Sequence, residues 1–145
     1  MKLKFRPVNL IWIAILGFLL WFFLWPVTLT DHLPETEDLQ VNVMDADGTE
    51  TVYQFPTDSH QWSELRDILS RYRCYHTLTP NGKNTNQNLH WEKQILIQSA
   101  HTALYAYGSD KLTLNNTILR MGWFQHDQAS VFFQELLDLL QAQTP

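Results

Sequence analysis

Residues 8–29 read VNLIWIAILGFLLWFFLWPVTL, and nothing else in the chain restricts its fold as strongly as this run. From Leu10 to Trp25 no side chain is charged or conventionally polar, and Asn9, Pro26 and Thr28 are the only interruptions of the longer stretch. About 20 such residues in a helix rise about 30 Å, the thickness of a bilayer's hydrocarbon core. A core helix of a water-soluble domain would carry a polar stripe, which this run lacks. The run therefore predicts a single transmembrane helix over 8–29.

Its flanks suggest an orientation. Lys2, Lys4 and Arg6 precede it, whereas the nearest charges after it are Asp31, Glu35, Glu37 and Asp38. The positive-inside bias puts residues 1–7 in the cytoplasm and everything after the run outside, in a single-pass plasma-membrane protein. Trp12 and Trp25 sit where indoles meet headgroups, with Trp21 deeper. A cleaved signal peptide is the rival reading, but residues 25–31, WPVTLTD, place bulky groups where a peptidase needs small ones. A retained signal-anchor is the reading adopted.

Beyond the run lie all 15 acidic residues against seven Lys and Arg, a net charge of −8. Nine of the acids fall within 31–65, which holds no Lys or Arg. Such a balance repels nucleic acid and anionic lipid, and attracts basic partners or divalent cations. The single Cys74 makes no internal disulfide and reads as a small buried hydrophobe.

The acidic, Pro-bearing segment 30–38 reads as a short extended stalk, and 39–145 as one extracytoplasmic domain. Leu39, Val41 and Val43, then Val52, Tyr53 and Phe55, alternate around Asp45-Ala46-Asp47-Gly48, which predicts a β-hairpin. Asp58 or Ser59 caps a helix whose apolar face is Trp62, Leu65, Ile68, Leu69 and Tyr72. Residues 73–79 alternate as a strand, and 80–90 form a polar loop rich in amides. Strands follow closely over 93–124, with a tight turn at Asn115-Asn116, and an amphipathic helix closes the chain. The expected fold is α+β: a transmembrane helix, then one antiparallel sheet in the order β-β-α-β-β-β-β-β-α with two helices packed on it.

The hairpin VNVMDADGTETVYQF, the helix WSELRDILSRY and the strand series HTALYAYGSDKLTLNNTILRMG with its terminal helix resemble an uncharacterised family of small extracytoplasmic domains of Gram-positive bacteria. Members are tethered by one helix or a lipid, and the pattern covers most of residues 39–141. The resemblance implies location and fold, with no activity and no site residue.

Chemical motifs are sparse. The chain has no Gly-x-Ser-x-Gly, His-Glu-x-x-His, P-loop or Gly-x-Gly-x-x-Gly string. Cys74 and His76, two apart on a strand, share a face and would be the nearest thing to a nucleophile and base. His32, His60, His76, His90, His101 and His126 are scattered, so a zinc site would have to be assembled by folding. His90-Trp91-Glu92 has half of a deaminase zinc motif, but the Cys-x-x-Cys half is impossible with one Cys. Asp45 to Glu50 is a hairpin turn before it is a calcium loop, lacking the remaining ligands. Asn115-Asn116-Thr117 matches a glycosylation sequon, a role the turn makes unnecessary. His90 and Trp91, beside the amide-rich loop, are the expected partner-binding residues.

The expected function is thus an interaction or accessory domain, without cofactor, at the lipid bilayer and against another membrane or envelope protein. An envelope hydrolase or metal-dependent enzyme using Cys74/His76 or converging histidines is the alternative.

Overall fold

The computed structural model describes residues 7–78, 92–122 and 128–143. Lys2, Lys4, Arg6, Trp91 and the whole of the 80–90 loop with His90 lie outside them, and so does His126.

Helix α1 runs Pro7–Leu24, an 18-residue element. It ends five residues short of the transmembrane helix expected over 8–29, and the α+β architecture differs from expectation at this point. Its last backbone bond is donated by Trp25 N–H to Trp21 O at 2.9 Å. Pro26 has no N–H with which to continue the ladder. Val27–Thr28 instead becomes strand β1, pairing antiparallel with Cys74 and Arg73 of β4 (Arg73–His76). The helix therefore rises about 27 Å, short of the roughly 30 Å that a bilayer core demands. Among the described residues no helix is long and apolar enough to cross a membrane.

The segment expected as a stalk also belongs to the domain. A 3-10 turn over Leu29–His32 packs on α2 (His60–Arg71), with Leu29 and Leu33 in the core cluster. Arg66 of α2 donates to the carbonyls of Leu33 and Pro34, and its guanidinium lies 5.0 Å from the Trp62 ring centre. Trp62 Nε1 donates to Glu37 O at 3.2 Å, and Asp38 Oδ1 accepts from Thr57 N at 2.8 Å. Residues 29–38 are thus a strap over α2, held by side chains that the acidic composition concealed.

The sheet has eight strands, one more than expected, all paired antiparallel, and the extra one is β1. The others are β2 (Leu39–Asp45), β3 (Glu50–Phe55), β5 (Lys93–Gln98), β6 (Ala103–Ala106), β7 (Lys111–Leu114) and β8 (Thr117–Met121). Their spatial order is β1-β4-β8-β7-β6-β5-β2-β3. Helix α2 carries the chain from one edge of the sheet to the other, so β4 lands beside β8 and not beside β5.

Turn chemistry explains the hairpins. Gly48 has φ +85° between β2 and β3, a conformation costly for residues with a Cβ. Asn115 and Asn116 take φ +46° and +68°, the two positive values that a two-residue hairpin requires. Asn115 also accepts from Ala103 N with its side chain at 2.9 Å, tying the turn to β6.

Alternation sends Val41, Val43, Ile95, Ile97, Leu104, Leu112, Leu119 and Cys74 to one face, where they join Leu65 and Leu69 of α2 and Phe132 and Leu136 of α3 (Gln128–Gln141). Ser59 caps α2, accepting from Trp62 N at 3.1 Å, a bond worth about 1 kcal/mol. The other face is polar near β2 and β3, where Gln54, Gln40, Asn42 and Glu50 form a chain of side-chain hydrogen bonds.

Candidate functional site

Three surface features stand out, and each follows from how the chain is routed. The first is α1 itself. Leu10, Ile11, Trp12, Ile13, Leu16, Phe18, Leu20 and Trp21, with Trp25 just beyond the helix, are all more than half exposed, and from Leu10 on no polar residue interrupts them. Aromatic rings pack along it in tilted pairs, with Phe18–Trp21 centroids 6.0 Å and Trp21–Trp25 5.8 Å apart.

The helix is joined to the domain at its root. The Phe22 ring lies on the His76 imidazole, centroids 4.2 Å apart and planes 15° from parallel. Burial is the main reason that the His76 pKa falls below its ordinary value, and the neighbouring His32 lowers it further. The neutral imidazole therefore suits this stack.

Beside that stack is the second feature, a pocket of about 470 Å³. Phe23 and Leu78 form its apolar wall, and Tyr75, Lys111, Arg120 and Asp110 its polar one. Strand pairing places the polar set: Tyr75 lies opposite Arg120, and Arg120 opposite Lys111, so the three share the face turned away from the core. Asp110 Oδ2 is 3.3 Å from Arg120 Nε, within ion-pair range, yet the buried Nε makes no hydrogen bond. Among the described residues Lys111 Nζ faces no carboxylate within ion-pair distance.

The third feature is a groove of about 560 Å³ between α2 and α3. Ile68, Leu139 and Ala142 line it, with Glu64, Asp67, Glu135 and Asp138 around Arg71. Arg71 bridges the two helices, 3.4 Å from Asp67 and 3.1 Å from Glu135. Tyr72 O–H donates to the other Glu135 oxygen at 2.9 Å, and burial, with that carboxylate, raises the Tyr72 pKa. Four carboxylates against one guanidinium leave the rim negative.

The residues expected to carry chemistry are arranged otherwise. Cys74 and His76 do share a face, but Cys74 is fully buried and burial pushes its thiol up to about 12. Almost no thiolate exists at neutral pH, and the thiol and imidazole share no hydrogen bond among the described residues. His60 is at the surface beside Glu64 at 3.3 Å, and His101 is exposed in the β5–β6 turn. Among the described residues no group of three or more His, Cys, Asp or Glu is placed to hold a metal. In the β2–β3 turn, Asp45 is engaged by Lys93 at 2.6 Å and Asp47 accepts from Thr49 N at 2.9 Å. That backbone bond holds the Asp47 carboxyl below its usual range. Trp12 and Trp25 are exposed at 65% and 60%, while His90 and Trp91 lie outside the described residues.

Both concave sites were missed by motif reading. Each assembles residues distant in sequence, and only the Lys111/Arg120 pair, flanking the Asn115-Asn116 turn, carried a local signal. No family model matches the chain, and neither a curated protein nor a solved structure does.

Proposed function

We propose that this chain is a membrane-attached accessory domain that binds another membrane or envelope protein. One observation carries the reading: α1 presents large apolar side chains to its surroundings on every side. A helix of that kind is stable inside lipid or inside a larger protein core, and unfavourable in water. Lipid can take it up without the helix crossing from one side to the other. The β1 pairing and the Phe22–His76 stack then keep the domain close to the lipid surface.

The docking surface is the α2–α3 groove. Its apolar floor and negative rim fit a cationic segment with apolar side chains, which would gain both burial and charge complementarity. Glu64 and Asp138 stand on the rim, whereas Arg71 and Glu135 hold the helices together.

Two variants of the full chain test the parts separately. Leu16→Glu/Leu20→Glu should abolish flotation with phosphatidylcholine vesicles that the parent chain shows. Glu64→Lys/Asp138→Lys should float normally but lose a defined cross-linked partner in the native membrane. Flotation unaffected by the first variant would sink membrane attachment, and an unchanged cross-link with the second would sink the groove.

A further inference from the structure

We infer that the pocket at the root of α1 receives the phosphate of an anionic phospholipid headgroup; this rests on the membrane attachment proposed above. The first argument is continuity. Phe23, the α1 residue that walls the pocket, follows the exposed apolar surface running from Leu10 to Trp21. A lipid whose acyl chains lie along that surface brings its headgroup to the helix root, where the pocket opens.

The second argument is charge. The domain is acidic as a whole, yet at this point two cations on adjacent strands, Lys111 and Arg120, face one carboxylate, Asp110. Elsewhere among the described residues, Arg66, Arg71 and Lys93 are each paired with an acid, and Arg73 donates to the Thr28 hydroxyl at 2.7 Å. Lys111 is left without one, and Arg120 meets Asp110 through Nε at 3.3 Å, with its two terminal nitrogens outside that contact. An ammonium and a guanidinium side by side suit a phosphodiester: one as a point charge, the other as a fork. Tyr75, opposite Arg120, lies on the same face at this wall.

The third argument is the apolar wall. Free inorganic phosphate gains nothing from Phe23 or from Leu78, which is 85% exposed. A phospholipid covers both with its glycerol and upper acyl carbons, which singles out the lipid as the source of the phosphate.

The test uses the full chain, with partition to vesicles of phosphatidylcholine alone or mixed with phosphatidylglycerol. Each cation near an anionic surface strengthens association by roughly fivefold, and with Asp110 offsetting one of the two the mixed vesicles should be favoured by about fivefold. Lys111→Gln/Arg120→Gln should lose that preference while still partitioning to phosphatidylcholine through α1, with an unchanged thermal melt. Equal partition of the parent to both vesicles, or a preference that survives in the variant, overturns the pocket assignment and leaves membrane attachment standing. Abolition of the preference by millimolar inorganic phosphate at constant ionic strength overturns the choice of lipid. Failure to bind either vesicle overturns the attachment, and the pocket assignment with it.

Discussion

Leu29→Ala is the most decisive single substitution, because Leu29 lies in the stretch that hydropathy assigns to membrane. In the structure its side chain is fully buried in the core cluster, within the 3-10 turn that packs on α2. Removing a leucine side chain from such a site forfeits its transfer free energy and leaves a cavity, costing about 3 kcal/mol. With a urea dependence of about 1.5 kcal/mol per molar, the unfolding midpoint should fall by roughly 2 M. The slope should stay the same, since the surface exposed on unfolding hardly changes. Leu20→Ala is the matched control: its side chain is 51% exposed on α1 and its loss should shift domain stability by less than about 0.5 kcal/mol. Near-ultraviolet circular dichroism of the full chain in non-ionic detergent reports the transition of the domain. Equal midpoints for Leu29→Ala and Leu20→Ala would refute the reasoning and return residues 27–29 to the apolar segment.

Two further predictions concern titrating groups. With its thiol pushed up to about 12 and its side chain inaccessible, Cys74 should resist a disulfide reagent at pH 8 and react promptly in urea; native labelling at the unfolded rate would contradict its burial. His76 has a folded pKa below its ordinary value, so the unfolded chain binds the proton more tightly and stability rises with pH. Its contribution should be complete above about pH 6.5 and be lost as pH falls through the folded pKa, a dependence that His76→Phe removes while keeping a ring against Phe22. Identical pH profiles for the two proteins would rule this out.

What could be read from the chain was local. The hairpin around Gly48, the helix opening at Ser59 and the positive-φ turn at Asn115-Asn116 depend on neighbours within a few residues, and each leaves a mark in composition or periodicity. Cys74 was legible as a buried hydrophobe for the same reason: it alternates in phase with the core. The candidate sites were not legible, because Phe23, Tyr75, Lys111 and Arg120 meet only through pairings across strands.

The sequence by itself determined most of the strands and helices and that α1 is apolar from Leu10 on, since propensity, capping and hydropathy act over one or two turns of chain. Pro26 stops the helix locally, and tertiary structure decided that the apolar residues after it become strand and core. Hydropathy measures only affinity for an apolar surrounding, and Leu29 finds the interior of a protein as apolar as lipid. The backbone of Val27 and Thr28 could be satisfied by β4 only once α2 had carried that strand across the sheet. The same crossing brought β4 beside β8, and with it the charged pocket to the root of the helix.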